Sequence, residues 1–273
     1  MHTLDFSRRL AILAAASALA AALAACGTTP PENISLAAEA GPTQRDELKV
    51  GDIKAVSIKW TRTKPGCSGT CPTVEADTVA FTGEPKLTAL VDRVLAFMTG
   101  VDKDHRGPYQ SIDEYTQFFW QTAQARDSTA FKASVRDVTP AVIAIELHTT
   151  QNVTGAAHAI PATQFLNWQR REQRVLALDE ALAPGKRADF DALLRAAHAR
   201  WMADFSEAKR DPATFKRMWP FQESDNFALT QDGLVVKYDA YSIAPYSAGQ
   251  PELVLPYDTL KGILLPQWMP AKS

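Results

Sequence analysis

The side chains with the types and spacing to do chemistry begin at Cys26. Leu23-Ala24-Ala25-Cys26-Gly27 is a lipobox: small residues close an apolar run and are followed at once by a thiol. In that arrangement the Cys26 sulfur accepts diacylglycerol, and cleavage before it makes the acylated cysteine the new N-terminus. A second pair, Cys67 and Cys71, sits in Pro65-Gly66-Cys67-Ser68-Gly69-Thr70-Cys71-Pro72. Outside the cytoplasm two such neighbours oxidise together, and the glycines permit the tight ring. A zinc site would need two more ligands, and the nearest histidine, His105, stands alone; the spacing is also not the Cys-x-x-Cys of redox centres. The third group is Glu146 and His148, two apart on an expected strand and therefore on one face, with His158 further along. These could serve acid–base or metal chemistry, or simply form the polar face of a sheet.

Other catalytic signatures are missing. The chain has no Gly-x-Ser-x-Gly elbow, no phosphate-cradling glycine loop and no His-Glu-x-x-His, so no catalytic residue, metal site or cofactor is assigned. The carboxylate pairs Asp113/Glu114 and Asp189/Asp191 fall in the first turns of expected helices, where the helix dipole accounts for them. A net charge of −2 on 273 residues gives no basic patch for nucleic acid or anionic lipid. With 46% apolar and 22% charged residues the chain is that of a packed globular protein.

The elements that must position these groups follow from periodicity. Residues 1–25 read as a lipoprotein signal peptide and 26–47 as a flexible Pro-, Ala- and Thr-rich tether. Strands are expected at Val50–Thr61 and Thr73–Phe81. Helices follow at Pro85–Met98 and after the Ser111-Ile112-Asp113-Glu114 capping box. Phe131–Val138 and Ala141–Thr149 alternate as a hairpin, and Gln151–Ile160 is a small-residue loop. Thr163–Val175 is a strand-like stretch with a turn at Arg171–Arg174. Arg187–Glu207 has the clearest helical spacing, through Phe190, Leu193, Leu194, Ala197, Trp201 and Phe205. Asn226–Thr230 and Gly233–Tyr241 flank an Asp232-Gly233 hairpin turn, and Leu253–Pro256 precedes a short helix at Tyr257–Ile263. Strands and helices come in blocks, which predicts an α+β fold of antiparallel sheets with packed helices. The loop near residue 151 suggests two subdomains, an N-terminal one over 48–150 and a C-terminal one over 151–266.

The C-terminal string Gly233-Leu234-Val235-Val236-Lys237-Tyr238-Asp239-Ala240-Tyr241-Ser242-Ile243-Ala244-Pro245-Tyr246-Ser247-Ala248-Gly249-Gln250, followed by Leu253 to Leu260, closely resembles the RsiV-like family. These are the extracytoplasmic domains of lysozyme-sensing anti-sigma factors, together with many lipoproteins of unknown function. The family's Gly-Gly-Ala-His loop has its counterpart in Thr154-Gly155-Ala156-Ala157-His158, with alanine in place of the second glycine. Residues before Leu147 resemble the companion domain that also precedes peptidoglycan deacetylases of the PdaC type. The sigma-binding segment, the membrane helix and the deacetylase domain of those proteins have no counterpart here. The resemblance therefore implies a ligand-binding ectodomain on a lipid tether, with lysozyme or peptidoglycan as partner, at the periplasmic face of the envelope. Gly27 after the cysteine lacks the acidic inner-membrane retention signal, so in a two-membrane envelope the outer membrane is expected. The expected ligand-binding residues are Tyr241, Tyr246, Ser247, Gly249 and His158, on loops held by a rigid sheet. The alternative expectation is a cell-wall hydrolase or metal-dependent enzyme using His148, His158 and Glu146.

Overall fold

The computed structural model of the chain describes residues 44–99 and 109–270. The lipobox with Cys26, residues 26–43 of the expected tether, and His105 lie outside the described residues. Residues 44–47, expected in the tether, belong to the first strand, where they pair with the second.

Strands β1 (Gln44–Val50), β2 (Ile53–Thr63), β3 (Thr73–Phe81), β4 (Ser128–Val138), β5 (Val142–Asn152), β6 (Ile160–Gln169) and β7 (Arg174–Val175) form one sheet in chain order. Every neighbouring pair is antiparallel except β3 and β4, which run parallel. Helices α1 (Pro85–Phe97) and α2 (Ile112–Thr122) supply the crossover that a parallel pair requires. Their positions follow from the local sequence. Pro85 opens α1 at a position where its missing N–H costs nothing, and Leu87, Val91 and Leu95 turn inward. In α2 the Ser111 hydroxyl accepts the Glu114 N–H at 3.1 Å, and the Glu114 carboxylate reaches back to the Gln110 N–H at 2.7 Å. Asp92 of α1 accepts the Ile112 N–H at 3.2 Å, tying the two helices together.

Strand β5 is buried on both faces. Ile143, Ile145 and Leu147 point into the core beneath α1 and α2, while Val142 and Ala144 face the other way. On that second face lies a smaller antiparallel sheet, β8 (Phe227–Leu229), β9 (Gly233–Lys237) and β10 (Glu252–Pro256), in the order β10-β9-β8. Ala228 and Val235 pack on Ala144 and Phe165. Leu234, Val236, Leu253 and Leu255 instead face Phe190, Leu194 and Ala197 of α4 (Arg187–Asp204). Burying a leucine or phenylalanine of this kind is worth about 1.5–3 kcal/mol. The small sheet is therefore sandwiched between β5–β6 and α4. Two asparagines stitch it in place. Asn167 on β6 donates to the Phe227 carbonyl at 2.8 Å and accepts the Leu229 N–H at 2.9 Å. Asn226 accepts the Phe165 N–H at 2.6 Å and donates to the carbonyls of Thr163 and Lys237.

The class is α+β, with several differences in detail from the periodicity. The single parallel pair departs from an all-antiparallel sheet. The long helix ends at Asp204 because Phe205 turns extended; α5 (Ser206–Arg210) and α6 (Pro212–Met218) follow it. Tyr257–Ile263 forms turns and not a helix, the Thr259 hydroxyl bonding back to the Pro256 carbonyl at 2.7 Å. Strand β9 stops at Lys237, which frees residues 238–250 to form a loop. Gly233 does sit at the hairpin, but for space: a Cβ there would meet the Leu255 carbonyl oxygen at 2.7 Å. The boundary expected at residue 150 falls in the β5–β6 hairpin, across which the large sheet runs unbroken. The short α3 (Leu178–Ala181) completes the elements, and no described helix is long and apolar enough to cross a membrane.

Candidate functional site

The loop of residues 152–159 between β5 and β6 is exposed and carries His158 over the 238–250 loop. The His158 ring stacks on Tyr246 with centroids 4.3 Å apart, and Tyr241 lies 5.4 Å from His158 and 5.6 Å from Tyr246. Trp219, just past α6, stacks on Tyr241 from the other side at 5.9 Å. Four rings from three separate stretches of chain thus form one aromatic ledge. His158 Nδ1 is 2.9 Å from the Ala159 carbonyl, which can only accept, so Nδ1 carries the hydrogen. In the neutral ring Nε2 is then the acceptor, and the Tyr241 hydroxyl donates to it at 3.1 Å.

Tyr241 is held at φ +68°, a left-handed conformation that costs a non-glycine residue roughly 1–2 kcal/mol. It nevertheless keeps 48% of its surface exposed. A bulky side chain held in a strained backbone and left in water points to function more than to stability. Below it, Tyr246–Ala248 forms a single 3-10 turn closed by Gly249 at φ +66°, where nothing crowds a side chain and only the backbone conformation asks for glycine. The Ser247 hydroxyl donates to Glu207 of α5 at 3.3 Å. Tyr238, by contrast, is buried and donates to the Gln222 carbonyl at 2.8 Å, so it is part of the frame.

Beside the ledge runs a polar seam. Lys237 at the end of β9 is bonded to both Glu146 of β5 and Glu252 of β10, and Arg136 of β4 reaches the same two carboxylates at 3.3 and 2.8 Å. Burial pushes the Glu146 carboxyl up, but Lys237 and Arg136 outweigh it and hold it below the usual carboxylate range. His148 bonds the Thr150 hydroxyl at 2.9 Å; burial and then the Lys237 charge lower its pKa. Asp239, two residues before Tyr241, accepts the Thr163 N–H on Oδ1 at 2.7 Å, with the Gln250 amide 3.5 Å from the same oxygen. Shielding of that inner oxygen raises the Asp239 carboxyl, more than the hydrogen bonds lower it.

Glu146, His148 and His158 are therefore divided among different networks: Glu146 is neutralised by two cations, His148 bonds a neighbouring threonine, and His158 belongs to the ledge. Among the described residues no cluster of three or more histidines, cysteines or carboxylates has metal-holding geometry. Cys67 and Cys71 are joined as a disulfide at the exposed tip between β2 and β3. Sequence reasoning does not single out Trp219 of the ledge, nor Asp239 and the Arg136–Lys237–Glu252 seam; the one available signal for Trp219 is the Pro220 that follows it and ends α6. Apart from this region, a cleft of 550 Å³ lies between Val138–Val142, Leu229–Gln231 and Gln267–Pro270.

Residues 182–258 match the family described as a protein of unknown function, DUF3298, a span that contains Trp219, Asp239, Tyr241 and Tyr246. No curated protein matches the chain. A solved DUF3298 family protein from Pseudomonas aeruginosa PAO1 is similar at 35% identity and a TM-score of 0.72, over 85% of this chain and 99% of that one. A DUF3298 member from Bacteroides fragilis NCTC 9343 shares the fold, at 20% identity and a TM-score of 0.57, over 82% of this chain and 94% of that one. With that identity along the whole of the Pseudomonas protein, the chain belongs to the DUF3298 family.

Proposed function

We propose that the protein is a non-catalytic envelope lipoprotein that binds a protein or cell-wall ligand on the aromatic ledge. The observation that carries the reading is Tyr241: strained, half in water, and ringed by Trp219, His158 and Tyr246. Large amphipathic rings gathered at a rigid surface are what binding surfaces use, because they offer contact area at little entropic cost. The rings stand on loops braced by the two asparagine stitches, so the surface is pre-organised and ligand binding need not order it. The lipobox supports an anchor at Cys26, with the domain facing the periplasm and the outer membrane favoured in a two-membrane envelope. The resemblance to RsiV-like ectodomains makes a lysozyme-type muramidase the first protein ligand to try. The dispersal of Glu146, His148 and His158 argues against the hydrolase alternative.

The test is to immobilise residues 27–273 and measure binding of c-type lysozyme and of muropeptides, with a cell-wall hydrolysis assay in parallel. Saturable binding that Tyr241→Ala abolishes supports the reading. Hydrolysis that disappears in His158→Ala overturns it in favour of an enzyme.

A further inference from the structure

We infer that the ledge is a subsite for a pyranose glycan, an inference that rests on the binding reading above and names its ligand class. The first observation is the make-up of the surface. Trp219 stacks on Tyr241 at 23° and His158 on Tyr246 at 22°, and the two pairs meet at 39°, so the rings form one aromatic cluster in which Tyr241 keeps 48% of its surface exposed. Pyranose rings present flat faces of C–H groups that stack on such surfaces, with hydroxyls around their edges. Each ledge ring also carries a polar tip, and no leucine, isoleucine or valine is among them. That composition suits a ligand that is apolar on its faces and polar on its rim.

The second observation is a hydrogen-bonding set at the border of the ledge that is fixed and only partly used. Asp239 is clamped through Oδ1 by the Thr163 N–H and the Gln250 amide. Its Oδ2 accepts no hydrogen bond among the described residues, and the residue is exposed. A carboxylate held by one oxygen and open at the other is suited to accept from vicinal sugar hydroxyls, the charge strengthening each bond. Glu207 with Ser247 provides a further carboxylate and hydroxyl beside Tyr246. Stacking faces flanked by a fixed carboxylate and amide recognise a sugar ring from both its chemistries.

The experiment uses the acylated-site-free chain 27–273 and follows intrinsic fluorescence during titration with chitohexaose and, separately, cellohexaose, alongside pull-down on purified sacculi. A Trp219 indole under a sugar ring changes its emission, so the expected result is a saturable change that disappears in W219F. Tyr241→Ala and Asp239→Asn should each weaken binding by about tenfold or more, the loss typical of a central contact. Tyr241→Phe retains the stacking face and should restore most of it. Binding of soluble oligomers marks a general pyranose site; retention on sacculi alone marks the wall polymer as the source, and both support the inference. If no glycan binds while lysozyme does, the glycan inference is overturned and the broader binding reading stands. If glycan binds but W219F, Tyr241→Ala and Asp239→Asn leave it unchanged, the ledge is not the subsite and the inference fails.

Discussion

Replacing Asn167 by alanine should be among the most costly single changes in the protein. Asn167 is 1% exposed, and both ends of its amide are bonded to the backbone of β8. Truncation leaves the Phe227 carbonyl and the Leu229 N–H without those partners in a buried interface. Each such group costs about 1–3 kcal/mol when left unpaired, so the pair gives about 2–6 kcal/mol, with a small cavity added. For a chain of this size each kcal/mol lowers Tm by about 2–4 °C, so the melting point should fall by roughly 4–24 °C. Urea unfolding followed by tryptophan fluorescence measures the loss directly. The midpoint should drop with little change in slope, because the same surface is exposed on unfolding. Asn167→Asp keeps the acceptor for Leu229 and loses the donor to Phe227, so it should be destabilised as well. A loss below about 1 kcal/mol for the alanine variant would mean that water or backbone shifts satisfy β8, and the stitching argument would be wrong.

Three further outcomes follow from the geometry. Tyr241→Gly should be more stable than Tyr241→Ala by about 1 kcal/mol, since both lose the ring and only glycine relieves the left-handed backbone; equal stabilities by denaturant titration would remove the strain. His198 is buried with Nε2 unpaired, and burial, then Arg195 and Lys216, hold its pKa below the ordinary histidine value. A depressed histidine keeps the folded state neutral while the unfolded chain takes up a proton, so stability should fall as pH drops through about 6.5, the unfolded value. His198→Phe should reduce that acid loss, and an unaltered pH dependence would show that His148 or other groups carry it. Converting Cys67 and Cys71 together to serine should cost about 2 kcal/mol, the small value expected of a short ring. Thiol labelling of the denatured, non-reduced protein should find neither cysteine free.

How much of this was legible in the sequence depended on the range of the interaction concerned. The stripe Leu87, Leu90, Val91, Val94 and Met98, the Ser111 cap and the alternation of β4 and β5 are local, and they yielded elements close to those observed, although Leu95 is buried in place of Leu90 and Val94. Parallel pairing of β3 with β4 is not local: two helices separate the strands, and only their packing on the sheet decides the direction. Short elements were the other weakness. Helix α6 is seven residues long and rests on the Asp211 cap, which accepts the Thr214 N–H at 3.0 Å, and on the single buried Phe215. Tyr257–Ile263 showed helical spacing of apolar residues, but Leu260 and Leu264 are buried from turns, which can satisfy the same burial without a helix.

The site was half legible for the same reason. Tyr241, Tyr246, Ser247, Gly249 and His158 stood out because a turn-rich segment with tyrosines reads as a loop, and loops on rigid sheets carry function. Nothing in spacing could say that the His158 loop folds over that turn, or that Trp219 comes in from behind α6. Those meetings depend on the small sheet lying across β5 and β6, and that placement depends on Asn167 and Asn226, whose side chains look like ordinary polar positions within strands. The same seating gives Glu146 and His148 different partners, Lys237 with Arg136 for the one and Thr150 for the other. Seating β9 against β5 brings Lys237 onto Glu146, so the carboxylate is spent on holding the sheets together. The contacts that seat the small sheet therefore also pair Glu146 with Lys237. Lys237→Met separates the two roles: it should free the Glu146 carboxyl to rise toward or above its ordinary value, while the rings of the ledge stay in place.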